Sequence, residues 1–290
     1  MSKAKEWEEL TIADNFLFQR FMQNKELCKT LIEKILKRDI KEVYLPELEK
    51  IVDIDSVKKS VRFDLYVKTY DGAILDIEIQ TARTYPSNLP KRARFYQGMI
   101  DLDALVKGED YSELTESYVI FICTFDPFGY GNKIYTFTNI CHERRELGLN
   151  DGSTKIFINA GGTDGDIDEE LGGFLDYLMG KTAKGGFALR VEKEVEKIKL
   201  HKETRVDYMT LMMELKEQWR EGKAEGIKEG IKEGEKKGKK EGKKEGKKEG
   251  LLHSVKSLME SMKLSVDEAM EALKIPSDER EAYKTKLAGN

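Results

Sequence analysis

The stretch VRFDLYVKTYDGAILDIEIQT (residues 61–81) constrains this chain more than any other. Apolar and polar residues alternate on both sides of Asp71-Gly72, the pattern of two antiparallel strands joined by a turn. A slip of one residue would turn every apolar side chain onto the wrong face. A three-residue loop, Tyr70-Asp71-Gly72 with a left-handed Gly72, gives the matched pairing. Phe63 then lies opposite Ile79, Leu65 opposite Ile77 and Val67 opposite Leu75, while the other face pairs Arg62 with Gln80, Asp64 with Glu78 and Tyr66 with Asp76. A two-residue turn mixes the faces, so the loop is expected to be this one or another of odd length. This register sets the carboxylates of Asp64 and Glu78 side by side, about 5 Å apart at Cβ, where like charges repel. Such a pair needs a cation, a shared proton or open water. A divalent ion of the Mg²⁺ type meets the first need, because it takes oxygen ligands from one or two carboxylates and keeps waters for its substrate. The plain alternative is a solvated polar sheet face, neutralised by Arg62 and nearby lysines.

The neighbouring sequence gives this hairpin an α/β setting. A helix is expected from an N-cap at Asp14 through ELCKTLIEKIL, with a break at Asn24. KEVYLPELEKIV opens the strands, LPKRARFYQGMIDLDALVKG is a basic helix, YVIFICTF is a buried central strand, and KIYTFTNI is a further strand. In the basic helix Lys91, Arg92 and Arg94 follow Pro90, with Tyr85 and Tyr96 close in sequence. Basic and aromatic residues beside an acidic site suit a grip on phosphates. The bland reading is an exposed helix start.

The order of these blocks resembles the recombination-promoting nuclease / putative transposase family of the PD-(D/E)XK superfamily. Asp64 followed by Glu78-Ile79-Gln80 is similar to the superfamily signature in its E-x-Q variant. The resemblance is carried by TIADNFLFQRFMQNKELCKTLIEKIL, RFDLYVKTYDGAILDIEIQT, LPKRARFYQGMIDLDALVKGEDY, ESYVIFICTFDPFG, INAGGTDGDIDEELGGFLDYL and the EGxxEG tail, over about residues 8–250. It implies a restriction-endonuclease-like mixed sheet flanked by helices and a metal-dependent DNA endonuclease that promotes recombination. Asp64 and Glu78 would be catalytic metal ligands for Mg²⁺ or Mn²⁺, with the Ile79 carbonyl as a further ligand. Gln80 stands where the superfamily usually has lysine, and glutamine brings neither charge nor a titrating proton. Either the metal alone activates water, or Lys91, Arg92 or Arg94 supplies the missing charge. Asp14 or Glu33 is a candidate additional acid. The competing implication is a catalytically weak or inactive nuclease fold that binds DNA or protein, and the site chemistry alone does not separate DNA from RNA.

Other patterns carry less. The net charge of −4 excludes a uniformly basic surface, so any nucleic-acid contact must come from a local patch. Three scattered cysteines, no apolar leader and no long apolar run point to a reducing cytoplasm and no membrane span. Asp164-Gly165-Asp166-Ile167-Asp168 lacks the glycine and the final acid of a calcium loop and reads as a surface acidic loop. His142, His201 and His253 are too dispersed for zinc, Cys141-His142 reads as structural, and no glycine turn calls for a nucleotide cofactor.

Four segments are expected: a nuclease-like domain over 1–190, a charged helix over 191–220, a Gly/Lys/Glu-rich linker over 221–250, and a small helical unit over 251–290. Glycine recurs every fourth residue from Gly222 to Gly250, which weakens a lone helix and reads as a solvated spacer, its lysine-rich half within reach of a phosphate backbone. Beyond it, Leu251, Val255, Leu258, Met259 and Met262 share a helix face, and Ser265-Val266-Asp267-Glu268 is a capping box opening a second helix. Pro276 ends that helix and Ser277 caps a third. These helices are candidates for docking or homo-oligomer formation, or for a helix-turn-helix DNA reader, although the last helix, SDEREAYKTKL, begins acidic where groove-reading residues usually sit.

Overall fold

A computed structural model describes residues 5–52, 61–81 and 88–288 of the chain. It divides into two compact units, Met1–Met212 and Met213–Asn290. In the first, six strands form one mixed sheet in the order β1-β2-β3-β4-β6-β5. They are β1 (Glu47–Val52), β2 (Val61–Lys68), β3 (Ile74–Gln80), β4 (Ser117–Cys123), β5 (Ile134–Phe137) and β6 (Ser153–Asn159). β3, β4 and β6 run parallel, and β1, β2 and β5 join antiparallel. This is the mixed sheet flanked by helices expected of a restriction-endonuclease-like α/β fold. β6 is an element beyond those anticipated. Its core, Ile156-Phe157-Ile158, is a three-residue apolar run too short to separate strand from loop in isolation.

One face of the sheet packs against α1 (Asn15–Met22), α2 (Lys25–Leu36), α4 (Glu169–Leu178) and α5 (Gly186–Leu200). Leu65, Val67, Leu75, Ile77, Ile120 and Ile122 are buried there. The break at Asn24 is real, and its side chain caps α2 by accepting from the Leu27 N–H at 3.3 Å. Asp14 holds the N-cap position of α1 but does not cap it. Its carboxylate turns back to the Thr11 N–H at 2.7 Å and the Lys5 ammonium at 2.7 Å. The opposite face is covered by α3 (Leu89–Ala104), over Phe63, Tyr66, Ile74, Val119 and Phe121.

The β2–β3 hairpin has the matched register, with Tyr66 opposite Asp76 and Val67 opposite Leu75. The loop is the three-residue one: Thr69 N–H donates to the Ala73 carbonyl at 2.9 Å, and Gly72 is left-handed at φ 93°. A side chain at Gly72 would be strained in that conformation and would press on Thr115.

Strict alternation does not hold to the end of β2. Phe63 was expected beside Leu65 and Val67, opposite Ile79. It lies instead on the α3 face, its ring 5.5 Å from Tyr66 and 5.4 Å from Tyr96. The partner strand changes face at the same level, because Leu48 packs with the α1 side while Lys50 bonds Asp103 of α3 at 2.7 Å. Between them Glu49 is left-handed at φ 52°. The two strands therefore kink together at Glu49 and Asp64, an irregularity of the kind that re-aims a side chain next to a site. Arg62 is correspondingly displaced from Gln80 and sits 4.0 Å from Glu49.

The expected charged helix over 191–220 is split at His201, where α5 ends and α6 (Lys202–Met262) begins. Residues 221–250, expected as a spacer, are helical throughout and exposed. In the second unit α6, α7 (Val266–Ala272) and α8 (Ser277–Ala288) enclose a small core of Val255, Ala269, Met270, Ile275 and Tyr283. The Ser265–Glu268 capping box is present. Met262, expected on the apolar face, is exposed, whereas Leu251, Leu258 and Met259 pack against the core.

Candidate active site

Asp76, Glu78 and Gln80 alternate along β3 on its α3 face, as period two dictates, while Leu75, Ile77 and Ile79 point the other way. Glu78 is 1% exposed and Asp76 is fully buried. The β2–β3 ladder ends at Tyr66 and Asp76 among the described residues. At the next level a side chain replaces the main chain, and the Asp64 N–H donates to Glu78 Oε1 at 3.4 Å. The kink thus keeps Asp64 and Glu78 together, though not through the continuous strand pairing expected.

Two residues of α1 hold Asp64 from the other side. Gln19 Nε2 donates to the Asp64 carbonyl at 3.2 Å, and the Asn15 side chain, nearby, holds the Asp64 carboxyl down against the effect of burial. The acids proposed from α1 and α2 lie elsewhere: Asp14 is occupied with Thr11 and Lys5, and Glu33 accepts from the Ile40 N–H at 3.0 Å.

Of the three basic candidates, α3 delivers one. Arg92 pairs closely with Glu78 Oε2, donates to Gln80 Oε1 at 3.3 Å and to the Tyr96 hydroxyl at 3.0 Å, and lies over the Phe121 ring at 5.2 Å. It is one turn into the helix, facing the sheet. Lys91 and Arg94, on either side of it, are exposed. Tyr85 lies outside the described residues. Gln80 uses one amide hydrogen on the Ile79 carbonyl at 3.0 Å. The same bond uses one of the two lone pairs of the main-chain oxygen suggested as a metal ligand.

Burial pushes the Glu78 carboxyl up to about 8, and the charge of Asp64 adds to this against the pull of Arg92. Burial likewise raises Asp64, opposed by Asn15 and Arg92. Asp76 is raised well above the usual carboxylate range, first by burial and then by Glu78 and Asp64. Both of its oxygens are buried without a hydrogen-bond partner. Asp76 was named only as a pairing partner in the sequence. Its apolar neighbours in alternation were the available signal of burial, but the absence of a partner needs coordinates.

Among the described residues no group of three or more histidine, cysteine, aspartate or glutamate side chains converges for a metal. The site offers a pair, Asp64 and Glu78, with Asp76 behind it. Two carboxylates suffice for a magnesium-type ion. Their mutual repulsion in a buried setting, and the unpartnered acid beneath them, fit a cation.

A family model described as PD-(D/E)XK nuclease family transposase matches residues 15–160, just over half of the chain. The chain belongs to this family. The PD-(D/E)XK match begins at Asn15, the first residue of α1, and ends just after β6, so it spans every site residue described above. PD-(D/E)XK nucleases are generally dependent on a divalent metal. No curated protein and no solved structure matches the chain. No described helix is long and apolar enough to cross a membrane.

Proposed function

We propose that this chain is a metal-dependent DNA endonuclease that hydrolyses phosphodiester bonds and promotes recombination, with Asp64 and Glu78 as its metal ligands. The observation that carries the reading is the half-buried Asp64, at the kink in β2, beside the buried Glu78 of β3, inside a matched nuclease family segment. Mg²⁺ or Mn²⁺ would be held by these two carboxylates, where such an ion polarises a phosphodiester and lowers the pKa of bound water.

The chain's own groups supply the rest. Glu78 Oε1 faces Asp64, while Oε2 is tied to Arg92, which fixes the carboxylate's orientation. Arg92 stands in for the lysine that Gln80 replaces. It brings a permanent positive charge to the same point of the site and orients Gln80 through Oε1. The second amide hydrogen of Gln80 is then left to donate to a water or phosphate oxygen. Exposed Lys91 and Arg94 flank this position and suit phosphate contacts that set register rather than sequence. The bound ion requires ionised carboxylates, so metal affinity rises with pH as Glu78 titrates near 8.

The test is conversion of supercoiled plasmid by the purified full chain with Mg²⁺, with Mn²⁺ and with chelator. Nicking is expected with metal and is absent with chelator. Duplex binding without cleavage under either metal would contradict the enzyme and favour a binding module built on the same fold.

A further inference from the structure

The glycine-rich tract of α6 carries a one-sided basic surface. Four residues advance a helix by about 400°, so each repeat rotates the pattern by only about 40°. Between residues 235 and 250 there are eight lysines and four glutamates, a net charge of +4. At about 100° per residue all eight lysines fall within an arc of about 180°, centred between Lys240 and Lys247. Glu241, Glu245 and Glu249 occupy the other half, with Gly238, Gly242 and Gly246. The surface has a sharp N-terminal limit. In the preceding repeats the same side of the helix bears Glu221, Glu225, Glu229 and Glu233, with Lys232 as the one lysine among them.

The lysine face is uncovered. Every residue from 221 to 250 is exposed, and a Cβ added at any glycine of the tract would meet nothing within 4 Å. Among the described residues Lys237 alone of the eight has a carboxylate in range, Glu233 at 3.9 Å. The face from Lys236 to Lys248 is about 18 Å long at about 1.5 Å per residue. Duplex DNA presents one negative charge per ~1.7 Å of axis, so a stretch of this length meets several phosphates. Glycine's small size on the far side leaves the lysine stems as the principal bulk of this segment.

We propose that the Lys236–Lys248 face is a sequence-independent docking surface for the phosphate backbone of duplex DNA. DNA as the partner rests on the nuclease reading above, while the surface itself rests on the helix geometry.

The experiment is binding of the full chain to a fluorescent duplex of about 30 base pairs in chelator, across a salt series. One variant combines Lys236→Gln, Lys240→Gln, Lys243→Gln and Lys247→Gln. A second combines Glu241→Lys, Lys243→Glu, Glu245→Lys and Lys247→Glu, which keeps composition and net charge but moves acids onto the face. Both should keep the helix content of the parent by circular dichroism. The first should lose at least about tenfold in affinity at low salt, and its salt slope should fall by up to about 3.6, at ~0.9 for each of the four phosphates no longer neutralised. The second should weaken binding similarly. Wild-type binding by the charge-swapped variant would overturn the proposal. So would loss of a dimer with unchanged DNA affinity, which would assign the face to a second copy of the chain. If the wild type cuts no plasmid yet the lysine variants still lose duplex binding, the docking surface stands and the catalytic reading fails.

Discussion

Replacing Arg92 with methionine is expected to destabilise the metal-free protein by about 2–3 kcal/mol at pH 9, and by less at pH 6. The substitution removes one guanidinium from Glu78, Gln80 and Tyr96 together. A fully buried ion pair stripped of one member costs ~3–5 kcal/mol, and the figure is reduced here because the Arg92 side chain is 35% exposed. The pH dependence follows from Glu78. Arg92 holds the Glu78 carboxyl down, so without it the group titrates above about 8: at pH 6 the carboxyl keeps its proton with or without Arg92, whereas at pH 9 the parent gains from an ionised, paired carboxylate that the variant lacks. Plasmid cleavage should fall by roughly 100-fold or more, the scale of losing one preorganised charge at a reacting phosphate. Arg92→Lys should restore part of the rate but less of the stability, since an ammonium cannot span Glu78 and Gln80 as a planar fork does. Chemical denaturation at the two pH values and initial nicking rates check these expectations. A variant as stable and as active as the parent would show that Arg92 has no part in the site.

Glu78→Gln is expected to move stability and activity in opposite directions. The folded value of Glu78, about 8, lies above its ordinary 4.5. The folded chain therefore binds more protons than the unfolded one between those values. The stability linked to this proton is fully present below about 4.5 and is lost as pH rises towards 8. Glutamine does not titrate and still accepts from Arg92. The variant should accordingly gain on the parent as pH rises, by on the order of 2 kcal/mol at pH 8–9 in chelator. Mn²⁺ should raise the melting temperature of the parent and not of the variant, and cleavage by the variant should be lost. A stability difference that shrinks with rising pH would contradict the assignment of Glu78 as a buried acid under repulsion.

Much of this was legible in the sequence because period two is a strong constraint. Leu65, Val67, Leu75 and Ile77 could satisfy one buried face only in the register with an odd loop, and Gly72 supplied the left-handed residue that loop needs. That register puts Glu78 on the α3 face, but the ladder stops at Tyr66 and Asp76, and Asp64 meets Glu78 through its main-chain N–H rather than by the strand pairing expected. Alternation is broken further along β2, and Phe63 and Arg62 were misplaced for that reason. The kink at Glu49 and Asp64 leaves no mark in hydropathy, since Phe63 is apolar on either face. Arg92 was one of three equivalent basic residues in sequence. Its selection comes from helix phase, with Tyr96 one turn further along the same face, against the α3 side of β3. Gln19 supports Asp64 by a hydrogen bond, with Asn15 nearby, from an element about 45 residues away, where no local pattern links the two. The glycine repeat shows how weakly propensity fixes local conformation. Its low propensity argued for a spacer, whereas the lysines and glutamates between the glycines are good helix formers and the tract is helical.

The most direct test of the central claim is side-by-side nicking of supercoiled plasmid in Mn²⁺ by the parent chain, Asp64→Ala and Glu78→Ala, each shown to be folded. Metal-dependent nicking is expected of the parent, with a loss of roughly 1000-fold or more in both variants, the scale of removing a ligand on which the metal chemistry depends. Cleavage by Asp64→Ala at the parental rate would contradict the claim, and would place any nuclease activity somewhere other than this pair of carboxylates.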